Sequence, residues 1–240
     1  MKRLRWLVCW FGICTFGMLL IFAIPGLPPV GNVSHPYRDL AVRAAVEHAT
    51  ANTVASVNFD TRAFDTLGEE AIFFTAVLGA IALLRPARHE KDRRLPHSGR
   101  VLASTRLAGY VFLGITTVVG WDVVAHGHLT PGGGFQGGIV AGSGLHLAYV
   151  AGNYSVLQRI RPLRLLEIGE AAGVVGFIGI GLAGLVCAGS FLTNFVPMGI
   201  LGSFLSGGTV ALLNAVVGLE VGCGVVMLLS RFLEQDLVMT

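Results

Sequence analysis

The residues best placed to do chemistry here are acidic side chains set inside apolar runs. Glu220 lies in "NAVVGLEVGCGVV", Asn214–Val226. An ionisable group at membrane depth costs about 2.5–3.5 kcal/mol on insertion scales, so its presence needs a reason. Three reasons are open for Glu220. It can relay protons or cations, form half of an intramembrane ion pair with a partner subunit, or stay neutral and hydrogen-bonded inside a helix bundle. Gly218 and Gly222 flank it with the GxxxG spacing that lets another helix come close.

A second acidic group lies in "FDTLGEEAIFF", Phe64–Phe74. The apolar run that follows is too short to span alone, so its helix is expected to start near Leu67. That brings Glu69 and Glu70 to the outer boundary. Thr66 and Glu69 have the T-x-x-E spacing of a capping box, which would give Glu69 a local role. Asp65 and Glu69 are also i, i+4, and could share a proton or a cation on one helix face. Glu167 and Glu170 open a later apolar run. Compensation of the helix dipole accounts for acidic residues at such a position. Glu170 lies deeper and is the better candidate for a functional role.

The third group is "AHGHLTPGGGFQGGIVAGSG", Ala125–Gly144, with Asp122 just before it. Asp122 and His126 are i, i+4 and can hydrogen-bond, and histidine titrates in the physiological range. His128 completes an H-x-H pair, which alone does not define a metal site. Pro131 and Gly132–Gly134 must break a helix. Gly137, Gly138, Gly142 and Gly144 then make the next one thin. Non-helical backbone at membrane depth survives only inside protein or beside water. The stretch is therefore a tight outer hairpin or the wall of a hydrated ion path. No Lys-Ser/Thr follows the glycines, so it is not a phosphate loop. His146, further along, is a weaker candidate for proton transfer.

These residues are carried by a chain of 240 residues that is 53% hydrophobic and 13% charged. Such a composition indicates an all-α, polytopic transmembrane protein. Six candidate spans can be counted: Trp6–Ile24, Leu67–Leu84, Leu107–Ala125, Gly134–Ala151, Ile168–Ser190 and Gly207–Leu229. The first follows Lys2, Arg3 and Arg5. It is long and has no clear cleavage site before Pro25, so it is expected to be a retained anchor. With the N-terminus inside, fourteen Lys and Arg fall on inner segments and Arg38, Arg43 and Arg62 on outer ones. That bias places both termini in the cytoplasm and the hairpin near the outer face. "PGLPPVGNVSHP" reads as a loop, followed by a short amphipathic helix over Tyr37–Thr50. The charged stretch 85–106 divides the chain into a two-span part, residues 1–97, and a four-span part, residues 98–240.

The small net charge of +3 does not suggest nucleic-acid binding. Cys9, Cys14, Cys187 and Cys223 form no CxxC pair, and their apolar settings read as buried thiols. No nucleotide motif, catalytic triad, metal set or cofactor site can be argued from spacing. On its residues alone, the chain is an ion-path or scaffold membrane subunit without a catalytic site of its own.

"HGHLTPGGGFQGG", His126–Gly138, closely resembles the hallmark of the MnhB domain, found in Mrp-type multisubunit sodium/proton antiporters. "FLTNFVPMG", Phe191–Gly199, and "LLNAVVGLEVGCG", Leu212–Gly224, are similar to the same family. The likeness covers roughly residues 100–240. "FDTRAFDTLGEEAIFFTAVLGAIALLR", Phe59–Arg85, resembles the C-terminal region of the antiporter's large A-type polypeptide and a small membrane protein of membrane-bound hydrogenases. The resemblance implies a fusion of two neighbouring subunits within a larger membrane complex. Its implied partners are other membrane subunits and lipid, with Na+ and H+ as transported ions and no cofactor. It places Asp65 and Glu69 in the family's charged patch, and His126, His128 and Pro131–Gly138 in the MnhB signature. The family often carries Lys where Glu220 stands, which would change the local proton affinity. A redox-driven complex and a non-conducting scaffold are the alternatives.

Overall fold

The computed structural model describes residues 2–27, 31, 35–84, 101–151 and 163–239. The division expected at 97/98, most of the charged stretch before it, and Arg159 and Arg161 lie outside them. Among the described residues every regular element is helical. By internal contacts the chain forms two units, Met1–Asp39 and Leu40–Thr240. The first holds α1, Lys2–Ala23, and a 3-10 turn at Ile24–Gly26. The α1 side chains that are described lie almost wholly open, as for a helix meant to face lipid.

The second unit holds the candidate residues. It begins within α2, Pro36–Glu47, close to the amphipathic helix expected there. It continues through α3, Thr53–Ser56, which runs into a wide π turn at Val57–Thr61. Then come α4, Ala63–Leu83; α5, Ala103–Ala125; α6, Gly134–Ala151; α7, Leu163–Ala188; and α8, Thr209–Met239. Among the described residues five helices, α1, α4, α5, α7 and α8, are long and apolar enough to cross a membrane, against the six expected. The sixth, α6, has the length but carries five buried glycines along with Gln136 and His146. It packs between α5 and α8, so protein rather than lipid covers much of it.

The centre of this unit is α8, the most buried of the five apolar helices. On one side it meets α6 backbone to backbone. A methyl added at Gly138 would lie 2.8 Å from the Gly218 carbonyl oxygen and 2.9 Å from the Gly222 nitrogen. The GxxxG pair beside Glu220 thus receives α6. On another side Gly173 of α7 meets Glu220, where an added methyl would fall 2.5 Å from the Glu220 Cβ. Small residues let helices approach this closely where lipid offers no hydrophobic drive for association. Between α7, α8 and the front segment, Phe59, Phe177, Leu213, Val217 and Val221 form a dry core.

Two asparagines hold the hairpin between α5 and α6. The Asn52 Oδ1 caps α3, accepting from the Val54 and Ala55 N–H groups at 3.1 and 3.3 Å. Its Nδ2 donates to the carbonyls of Gly127 and Thr130 at 2.8 Å each, with that of Gly132 at 3.5 Å. The Asn52 N–H also donates to the His128 carbonyl at 3.0 Å. From α8, Asn214 Oδ1 accepts the first N–H of α6, that of Gly134, at 2.9 Å. Gly132 and Gly133 have φ of 139° and 149°, backbone angles that side-chain-bearing residues rarely adopt. Asn194, in the loop before α8, caps that helix by accepting the Thr209 N–H at 2.8 Å.

Several sequence expectations are corrected. The fourth helix starts at Ala63, not near Leu67, so Thr66 lies inside it. The Thr66 hydroxyl donates to the Asn58 carbonyl at 2.6 Å, and no capping box with Glu69 forms. The extra length comes from residues 63–66, which follow the π turn and the non-helical Arg62. Glu167 and Glu170 do not open their helix, because α7 begins at Leu163. The dipole explanation for them therefore fails. Cys9, Cys14 and Cys187 are exposed and Cys223 is half-buried, its Sγ packed where a methyl on Gly169 of α7 would lie, so the buried thiols expected from the apolar runs are not found.

Gly138→Val should lower the thermal stability of the purified protein by about 1–3 kcal/mol, the usual cost of overpacking. Gly79→Ala, where an added methyl meets nothing within 4 Å, should leave it unchanged or slightly raised. Equal effects of the two would refute the α6–α8 seam. Removing the hairpin bracket with Asn52→Ala should cost about 1 kcal/mol, through the lost cap of α3 and the lost bonds to partly buried carbonyls. Limited proteolysis should then cut the 126–133 segment faster.

Candidate functional site

Three acidic side chains, each from a different helix, meet inside the second unit. Glu70 of α4, Glu170 of α7 and Glu220 of α8 are 2%, 2% and 0% exposed. Glu70 and Glu170 both lie close enough to Glu220 to act on it electrostatically, and Glu70 faces it within side-chain reach. Gly224, one turn along α8, leaves room for Glu170 Oε1 and the Phe73 ring. A methyl there would fall 3.0 Å from the former and 2.7 Å from the latter. Phe73 is one turn after Glu70, so α4 and α7 close on the same stretch of α8. No hydrogen bond of good geometry reaches Glu70 Oε2, Glu170 Oε1 or either Glu220 oxygen among the described residues. Buried carboxylates are ordinarily paired or hydrogen-bonded, so this arrangement is costly and specific.

A cleft of about 620 Å³ leads to Glu70. Its walls include Phe59, Phe73, Phe135 and Gln136, with the Gly132–Gly134 backbone on the hairpin side and Glu69 beside Glu70. The hairpin is therefore both a tight turn and one wall of a cavity that ends on a buried carboxyl.

The other candidates fall into separate places. Asp65 is exposed and paired with Arg62, whose Nε donates to Asp65 Oδ2 at 2.6 Å. The expected sharing between Asp65 and Glu69 does not occur, and Glu69 is exposed on the cleft. Asp122 and His126 do pair, with His126 Nδ1 3.0 Å from Asp122 Oδ1, but on an exposed edge. His128 is buried, and its Nε2 donates to the Phe204 carbonyl at 3.0 Å. Burial holds the His128 imidazole below its ordinary pKa, and nearby His126 adds to this, against the bond to Phe204. Both histidine rings meet the Phe204 ring edge-on, at 5.4 and 6.2 Å between centroids. They tie the hairpin to the loop before α8. His146 is half-buried on α6 and faces the backbone of Val226.

Motif reasoning favours Asp65 and Glu69 among the acidic residues of α4. Burial selects Glu70. Sequence reasoning also misses Asn52, Asn194 and Asn214, and the pair formed by His48 and Asp60 beside the π turn. Asn214 is the easiest of these to find. It is a lone polar residue in the same apolar run that draws attention to Glu220.

Residues 104–227 match the model of a family described as a domain related to the MnhB subunit of the Na+/H+ antiporter. An uncharacterized protein of Methanocaldococcus jannaschii is 32% identical over 200 residues, covering 72% of this chain and 73% of its own length. A probable K+/H+ antiporter A/B polypeptide of Rhizobium meliloti is 26% identical, over 96% of this chain and 25% of its own. Two solved structures share the fold. A chain of the membrane-bound sulfane sulfur reductase, an archaeal respiratory membrane complex, has a TM-score of 0.74 and 25% identity, over 96% of this chain and 98% of that one. A chain of the Mrp complex from Dietzia sp. DQ12-45-1b has a TM-score of 0.64 and 26% identity, over 96% of this chain and 26% of that one. The match to the family model and the Methanocaldococcus relative together establish that this multi-pass membrane chain belongs to the family of the domain related to the MnhB subunit of Na+/H+ antiporters.

Proposed function

We propose that the chain is an ion-handling membrane subunit of a multisubunit cation/proton antiporter of the Mrp type, seated in the cell membrane. Glu70, Glu170 and Glu220 pass protons or a cation through it. The observation that carries this reading is the meeting of three buried carboxyls from three helices, with oxygens left without good hydrogen bonds. Like charges cannot persist side by side in apolar surroundings. A shared proton or a bound cation removes the conflict, and exchanging one for the other is what an antiporter needs. The cleft at the hairpin supplies one approach to Glu70. The family description supports sodium as the cation, while the Rhizobium relative is named for potassium. In this reading the chain has no catalytic site and no cofactor. Other membrane subunits surround it.

Glu220→Gln keeps the shape of the side chain and removes its charge. In the assembled complex in vesicles it should lower cation-coupled proton flux at least about ten-fold, or about 1.4 kcal/mol. Subunit composition should not change. Asp65→Asn, at an exposed ion pair, should have little effect. Full flux in an intact Glu220→Gln complex would remove Glu220 from the path and favour a scaffold.

One observation favours a second reading, a membrane-arm subunit of a redox-driven complex. The chain matches that of the sulfane sulfur reductase end to end, but covers only about a quarter of the Rhizobium antiporter polypeptide. Purification of the tagged protein in gentle detergent, with mass spectrometry of its partners, separates the two. Antiporter-type membrane subunits alone are the expected result. Co-purifying iron–sulfur or hydrogenase-type subunits would decide for the redox-driven complex.

A further inference from the structure

The cleft that ends on Glu70 has a character that ion transfer alone does not require. Its volume, about 620 Å³, lies within the range of small-molecule sites. Three aromatic side chains, Phe59, Phe73 and Phe135, line it, with the Phe73 and Phe135 rings edge-on at 5.7 Å between centroids. Glu70 is 2% exposed, lines the same cleft and faces Glu220, and among the described residues no hydrogen bond of good geometry reaches its Oε2. Glu69 adds a second acidic group, and Gln136 adds an amide. Aromatic faces and a desolvated carboxylate both attract positive charge, and the apolar walls favour a greasy body over a hydrated ion.

We propose that this cleft binds a small organic monocation, with a guanidinium or ammonium head group on Glu70 and an aromatic or alkyl body among Phe59, Phe73 and Phe135. A guanidinium suits the carboxyl because it is a flat, weakly hydrated cation that can stack on aromatic faces while it donates to an acid. This site goes beyond ion transfer, because the ligand is held and not passed on. Bound there, it would block access from the hairpin to Glu70. The cation and a proton compete for one carboxylate, so occupancy should rise with pH.

The test uses the assembled complex in membranes and a photoreactive probe, 4-phenylbutylguanidinium bearing an azide on its ring. After irradiation, the labelled peptides are mapped by mass spectrometry. Saturable labelling within residues 54–76 and 132–136, competed by the unlabelled cation, is expected. Glu70→Gln should weaken it at least about ten-fold, the worth of a charged hydrogen bond. Phe135→Ala should weaken it several-fold while leaving the pH dependence in place. Equal labelling by the uncharged 4-phenylbutylurea analogue would overturn the proposal and mark a groove filled by lipid chains. Absence of labelling in the complex would also overturn it, the cleft then being filled by a partner subunit. Labelling does not read ion flux, so either failure leaves the antiporter reading standing.

Discussion

The second unit depends on how closely other helices can approach α8. In lipid, burying apolar side chains gives helices little reason to associate, so contact area and backbone proximity must hold them. The sequence meets this demand by leaving out side chains at the points of contact. Gly138 lies on the Gly218–Gly222 stretch and Gly173 on Glu220. Because α6 and α7 come this near, α8 is enclosed and can carry a carboxyl with 0% exposure. The same closeness that makes the bundle stable makes Glu220 costly.

The two faces of α8 have different chemistry. Toward α6 it shows glycine and main chain, a rigid and neutral seam. Toward α4 and α7 it shows Glu220, and those helices answer with Glu70 and Glu170 rather than with a base. The described residues therefore concentrate ionisable groups of one kind where an ordinary membrane protein would pair acid with base. Asn214 links the two faces, since it lies on α8 between its N-terminus and Glu220 and also holds the first N–H of α6. A shift of the hairpin would thus be felt on the helix that carries the central carboxyl.

Much of this is legible in the sequence. Apolar runs locate the helices, and the Pro-Gly break locates the hairpin. The cost of charge in hydrocarbon singles out Glu220. The pairing of Asp122 with His126 follows from i, i+4 spacing alone. Relations between distant segments are not legible. Glu70 and Glu69 are neighbours in sequence, and only the rotation of α4 against α8 buries one and exposes the other. That rotation depends on where the helix starts. The start at Ala63 follows directly on a π turn, and a turn of that kind has no clear sequence signature. The α6 helix reads as an apolar span, although its sequence is better explained by helices packing on both sides. The grip of Asn52 on the hairpin cannot be read at all, since the carbonyls that its Nδ2 reaches lie 75 or more residues away.

The Asn52 bracket has a consequence for how this protein can vary. It grips Gly127 and Thr130 by their carbonyls, lies near that of Gly132, and bonds to His128 through main chain on both sides. The front segment therefore recognises the path of the hairpin rather than its side chains. Substitutions that preserve that path leave every acceptor in place. Loss or gain of a single residue would displace them together. Evolution can rewrite the letters of this loop more freely than it can change their number.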